Sequence, residues 1–177
     1  MSFFFADNTV LVSFAIIGRM DLLETLFCDR GHWSATVRDE CMDSARVPGL
    51  DTIAEADRFL GDPIAPTKTE LLQTRAFRDR LAGPLENNPK KHLGEAETLS
   101  IMAERFRFDL LVTDDTGAHR LAAEHNIRTV TTFTLLKMAV RVGLATPVDV
   151  FDYLRDLRPR GAPHLDYVSQ VIPWAND

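Results

Sequence analysis

The period of the apolar positions changes along this chain, and each change marks an element. Residues 3–6 form an unbroken apolar run, as a short strand buried on both faces requires. Val10, Leu11, Phe14 and Ile17 then recur at helical spacing, with Asn8 or Thr9 placed to cap. Gly18 ends that helix, and a second short one follows over 20–27. Residues 32–36 read as a weak strand, 37–45 as a helix, Pro48-Gly49 as a turn and 50–60 as a helix. Pro63 and Pro66 mark a connector, and 69–81 is helical. The run from Gly83 to Pro89 is the clearest loop. A helix over 95–105, a strand over 110–113, a helix over 116–125 and a strand over 127–130 follow. The last helices cover 133–142, ended by Gly143, and 147–157, opened by Pro147. The tail, with Pro159, Gly161, Pro163 and Pro173, reads as irregular.

Strands that alternate with helices belong to a mostly parallel sheet with helices on its faces. Its functional crevice is expected at the carboxyl ends of the strands. Three acidic clusters fall near such places. Asp7 follows the first strand, Asp114 and Asp115 follow the strand over 110–113, and Glu95 and Glu97 open a helix. Carboxylates gathered at one sheet edge repel each other unless a cation holds them. The pattern therefore points to a divalent metal and to phosphate chemistry. Asp7 and Asp115 are the central candidates. Asp114 is expected to cap the helix that starts near Thr116 instead. Glu95 and Glu97 stand two apart on a helix and face different ways, so one of them is the better placed ligand.

Composition narrows this modestly. The chain has 177 residues, 45% of them hydrophobic and 26% charged, which suits one domain with a sizeable core. A net charge of −6 argues against retention on nucleic acid by bulk charge alone. It leaves room for an enzyme whose metals carry the local positive charge. Cys28 and Cys41 have no metal-ligand spacing and read as two buried thiols of a reducing, cytoplasmic compartment. The apolar start lacks a basic segment, and residues 10–17 are too short to span a bilayer. His92 beside Lys90 and Lys91 reads as part of a solvated loop. His119 and His125 are expected on the surface, and Trp33 and Trp174 in packing. Arg75, Arg78 and Arg80 make a basic helix patch interrupted by Asp79.

In this order the segments resemble the PIN-domain nucleases, and among them the toxins of VapC type. The resemblance is carried by Asp7-Asn8-Thr9-Val10-Leu11, by residues 16–23, by Ala35-Thr36-Val37-Arg38-Asp39-Glu40, by Leu93-Gly94-Glu95-Ala96-Glu97, by Leu111-Val112-Thr113-Asp114-Asp115 and by residues 129–144. It implies a three-layer α/β/α sandwich and RNA cleavage dependent on Mg²⁺ or Mn²⁺. It gives Glu40 the role of the second acid, as ligand or water-orienting group. The step from Glu97 to Asp115 matches the family's spacing, which favours Glu97 as ligand with Glu95 as its alternative. Residues 1–145 would be the nuclease-like domain and 146–177 a helical extension and tail of the same domain. An antitoxin partner and a homodimer are also implied, with the apolar stretch over 10–27 as a candidate interface. Thr116 and Gly117 stand where that subgroup carries basic residues after the last acids. Two other readings remain. One is a PIN-fold module that binds RNA or protein without cleaving. The other is a phospho-acceptor receiver domain, which needs its acidic pair after the first strand, whereas here the pair comes late.

Overall fold

The computed structural model describes residues 2–83 and 86–177; Pro84 and Leu85, within the predicted loop, lie outside them. Four strands, β1 (Phe4–Ala6), β2 (Gly31–His32), β3 (Leu110–Val112) and β4 (Arg128–Val130), form one sheet in the order β2-β1-β3-β4. All neighbours are parallel, with Phe5 opposite Leu111 and Leu111 opposite Thr129. The chain leaves β1 toward β2 and returns on the other side at β3. The crevice between the carboxyl ends of β1 and β3 is thus a topological switch point.

Ten α-helices cover the sheet: α1 (Asn8–Ile16), α2 (Met20–Phe27), α3 (Ala35–Ser44), α4 (Ala56–Leu60), α5 (Lys68–Ala82), α6 (Leu93–Arg105), α7 (Thr116–Glu124), α8 (Thr132–Arg141), α9 (Pro147–Asp156) and α10 (Val171–Asn176). The period of two along each strand sorts the layers. Phe4, Ala6 and Val112 face a core built with α1, α2, α3, α4, α8, α9 and α10. Phe5 and Leu111 face the opposite core, built with α5, α6 and α7. The result is the three-layer α/β/α sandwich that the sequence predicts.

Several local expectations are corrected. Residues 50–60 divide into a 3₁₀ segment, Asp51–Glu55, and the short α4. The weak strand is shorter than expected, because Ser34 caps α3 by accepting from the Val37 amide. The irregular tail contains α10, whose Val171 and Ala175 are buried. Cys41 is buried, but Cys28 is exposed, in a left-handed turn with φ 49° at the end of α2. His119 is half-buried, bridging the Thr113 carbonyl at 3.0 Å and the Thr129 hydroxyl at 2.7 Å. Most apolar side chains of α1 and α2 pack in the first core, while Ile16 is exposed.

Trp33 anchors the β2 edge. Its side chain is fully buried, and its indole N–H donates to the Gly61 carbonyl at 2.8 Å. Trp33→Ala removes that bond and opens a cavity. It is expected to destabilise the fold by about 3–5 kcal/mol, read as the shift in urea-unfolding free energy; a loss under about 1 kcal/mol would show that the anchor is dispensable.

Candidate metal centre

The first acid is fixed by the sheet. The amide of Asp7 donates to the Val112 carbonyl at 2.9 Å, extending the pairing of β1 with β3 by one step. Its carboxylate is therefore held at the switch point and is 1% exposed. Oδ2 accepts from the Thr9 hydroxyl at 2.5 Å and the Thr113 hydroxyl at 2.8 Å. Oδ1 is buried and has no partner among the described residues. Burial is the largest influence on this carboxyl and pushes its pKa up; the hydroxyls of Thr9 and Thr113 and the dipole of the nearby Asn8 amide oppose it, and the charge of Asp115 adds to it.

The two aspartates after β3 part company. Asp114 turns toward the first core. Its Oδ1 accepts from the Thr132 amide at 2.8 Å, and its Oδ2 from the hydroxyls of Thr132 at 2.7 Å and Ser13 at 3.1 Å. It thereby caps α8, not α7 as the sequence suggested. Asp115 caps α7 instead, accepting from the Ala118 amide at 2.6 Å, while its own amide donates to Thr113 Oγ1 at 3.1 Å. Thr113, fully buried, thus touches both Asp7 and Asp115.

The third group comes from the start of α6, where the two glutamates have different surroundings. Glu97 is 5% exposed, and its Oε1 accepts from the Thr36 amide at 2.9 Å in the first turn of α3. Glu95 lies instead beside His92 and Asp115. Burial first, and then the charge of Asp7, push its pKa up to about 8, with Glu40 and Asp115 adding to the rise. The two glutamates thus differ in what they touch, although the charge of Glu97 also raises Glu40. Glu95 joins the cluster, and Glu97 ties α6 to α3. His92, at the entrance to α6, brings Nδ1 to 3.6 Å from Glu95 Oε1. Donor atoms of His92, Glu95 and Asp115 all lie within 4.8 Å of one another.

Glu40 enters from α3. Its Oε1 accepts from the Gly94 amide at 3.2 Å, and burial followed by the charge of Asp7 raises its pKa to about 7. A Cβ at Gly94 would meet Glu40 Oε2 at 2.5 Å. The glycine of the Gly94-Glu95-Ala96-Glu97 motif thus makes room for the second acid. Sequence reasoning missed one contributor from the tail: Arg160 donates Nε to Ser13 Oγ at 3.0 Å and Nη2 to the Thr9 carbonyl at 2.9 Å. No sequence signal singled it out, since it lies in the segment read as irregular.

Asp7, Glu40, Glu95 and Asp115 thus share one electrostatic neighbourhood at the carboxyl edge of the sheet. A family model described as a PIN domain matches residues 3–165.

The chain belongs to the PIN-domain family.

Comparisons with the curated proteins and with the solved structures give no match. The match to the PIN domain runs past residue 145 and takes in α9 and Arg160. PIN domains are generally nucleases and typically use divalent metal. The residues here fit such an ion. An orphaned buried carboxylate oxygen on Asp7 and a set of carboxyls pushed up by burial and then by one another's charge are both relieved by a cation. Asp7, Glu95 and Asp115 would hold it, with Glu40 beside them.

The repulsion has a measurable consequence without any metal. The folded value of Glu95, about 8, exceeds its ordinary 4.5. The folded chain then holds that proton more tightly than the unfolded chain. The corresponding stability is fully present below pH 4.5 and is lost as pH rises toward 8. In EDTA, wild type should lose more unfolding free energy from pH 5 to pH 8 than Glu95→Gln does. The contribution of His32, whose pKa burial lowers, is common to both proteins and cancels. Parallel profiles by urea denaturation would mean that Glu95 carries no such strain.

Proposed function

We propose that this chain is a Mg²⁺- or Mn²⁺-dependent endoribonuclease, the toxin of a toxin–antitoxin pair acting in the cytoplasm. The observation that carries the reading is Asp7. A carboxylate buried at a sheet switch point, with one oxygen unpartnered and other acids around it, is costly unless it serves a cation. Glu70 provides the contrast. It is equally buried, at 1% exposed, yet it is fully engaged by the Thr67 amide and by Arg105. Glu70 is explained by the fold; Asp7 is not.

A divalent cation bound at Asp7, Glu95 and Asp115 would supply Lewis acidity toward a phosphodiester and make a nearby water more acidic. The chain's own residues do the rest. The Thr9 and Thr113 hydroxyls hold Asp7 Oδ2, leaving Oδ1 without a hydrogen-bond partner among the described residues. Glu40, held by the Gly94 amide and raised to about 7, can take a proton from an attacking water near neutral pH. Two cavities flank the acids. One, of about 240 Å³, is lined by Arg80, Gly117 and Arg120; the other, of about 170 Å³, by Asp39, Glu40, Asp43 and Lys90. The arginine side suits a phosphate backbone. The antitoxin and the homodimer rest on the resemblance of residues 16–23 and 93–97 to the toxin-like subgroup.

The test is cleavage of a fluorescent RNA pool by the purified chain in Mg²⁺ or Mn²⁺ against EDTA. Asp7→Asn and Asp115→Asn should each lower the rate by at least about 100-fold, since loss of even an outer partner of a metal ligand costs about 10–100-fold. Glu97→Gln should lower it far less. RNA retained but left intact by wild type in either metal would favour the non-cleaving binding module. Undiminished cleavage by both aspartate variants would overturn the assignment of the site.

A further inference from the structure

His92 is the one residue at the crevice that the acidic reading does not use. It precedes α6 with a left-handed backbone, φ 61° and ψ 17°, which a non-glycine residue adopts at a cost and which the surrounding fold must hold in place. This conformation turns the ring inward over the first turn of α6. Nδ1 is shielded from solvent and has no hydrogen-bond partner among the described residues. The nearest acceptor, Glu95 Oε1, is 3.6 Å away, too far for a hydrogen bond. The separation suits two donors on one ion. Ligands about 2.1–2.2 Å from a shared metal stand between about 3.0 and 4.4 Å apart, depending on the angle between them. The Asp115 carboxylate completes a set whose donor atoms lie within 4.8 Å of one another.

Asp7 supplies a second, independent sign of a ligand. Its side chain is 1% exposed, its Oδ1 is unpartnered, and its charge reaches both Glu95 and Asp115. Two orphaned donors, one nitrogen and one oxygen, thus come from different elements in the neighbourhood of Glu95 and Asp115.

We propose that His92 is a nitrogen ligand of this centre, through Nδ1, beside Glu95, Asp115 and Asp7. The inference rests on the metal-dependent reading of the site and deepens it by naming which ions the site prefers. Mg²⁺ takes oxygen donors and rarely accepts imidazole, whereas Mn²⁺ and the later divalent ions accept a mixed nitrogen and oxygen set. An all-carboxylate site would have no such preference built in. The chain therefore selects Mn²⁺ over Mg²⁺. The imidazole also holds down the charge of the site, since a neutral fourth donor replaces what would otherwise be another carboxylate among groups that already repel.

The experiment uses the full chain and the metals alone. Mn²⁺ and Mg²⁺ are titrated calorimetrically into wild type, His92→Ala, His92→Asn and Asp115→Asn. Mn²⁺-loaded wild type is examined by pulsed electron paramagnetic resonance, unlabelled and with ¹⁵N-histidine. Wild type should bind Mn²⁺ more tightly than Mg²⁺ and show a directly coordinated ¹⁴N that changes to ¹⁵N on histidine labelling. His92→Ala and His92→Asn should abolish that coupling and weaken Mn²⁺ by about 10–100-fold, with a much smaller change for Mg²⁺. Mn²⁺ bound to wild type without histidine coupling, and with unchanged affinity in both His92 variants, overturns the proposal and leaves the carboxylate site standing. Wild type that binds Mn²⁺ no better than Asp115→Asn overturns the metal reading itself. The nitrogen coupling is read in wild type, so a variant that fails to fold does not remove the test.

Discussion

Everything at the carboxyl edge of this sheet is arranged around one electrostatic conflict, the packing of like-charged carboxylates in a place that water barely reaches. Asp7 is nearly inaccessible, and Glu40 and Glu95 are pushed up to about 7 and about 8 by burial and by each other's neighbourhood. A fold tolerates this only if surrounding groups pin each carboxylate in one orientation. Here the pins are helix starts and hydroxyls. The first turns of α3, α6, α7 and α8 each give an amide to an acid: Thr36 to Glu97, Gly94 to Glu40, Ala118 to Asp115 and Thr132 to Asp114. Helix N-termini carry partial positive charge, so the same bonds that fix geometry also offset repulsion.

The threonines do the sorting. Adjacent residues in extended backbone point to opposite sides, so Asp114 and Asp115 cannot serve the same crevice. Thr9 accepts from the Asp114 amide while donating to Asp7, and Thr113 accepts from the Asp115 amide while donating to Asp7. Two hydroxyls thus link the ends of β1 and β3 into one rigid unit. Asp114 is left to bind Thr132 and Ser13, and Arg160 closes that side by holding Ser13 and the Thr9 carbonyl. The tail beyond α9 is therefore part of what fixes Asp7, through α1.

Sheet and layers were legible because the periods are strong. The unbroken Phe4-Phe5-Ala6 run has to be a strand covered on both faces, and Asp7 after it has to sit at the strand end. Asp115 was legible for the same reason. The glutamates were not, because which side of α6 faces the crevice depends on how α6 packs on α3. The Thr36 amide takes Glu97, a contact between residues far apart in sequence. Family spacing pointed to Glu97, and the fold adds to it a hydrogen bond from α3 that no spacing announces. His92 read as a solvated loop because its neighbours Lys90 and Lys91 are polar. What turns it inward is a left-handed backbone that no local pattern announces for a histidine. Arg160 escaped because proline and glycine around it signal irregular structure, and irregular structure says nothing about what a side chain reaches.

The flanking cavities extend the same logic outward. The chain carries a net −6, so its surface as a whole repels a polyanion. The local sign is not uniform. Arg120 makes no ion pair among the described residues and faces the larger cavity together with Arg80, which pairs with Glu124. Asp39 and Asp43 line the opposite cavity with only Lys90 against them. Gly117 sits on the arginine side, and a Cβ there would stand 3.0 Å from Asp115 Oδ1. The missing side chain leaves room beside the Asp115 carboxylate. A subgroup that sets basic residues directly after the last aspartate places its charge there. This chain keeps that position bare and carries the positive charge one helical turn later, at Arg120, and on the neighbouring α5, at Arg80. An acidic protein thus keeps two arginines, with Glu124 among them, around a cavity that Gly117 borders two residues after Asp115.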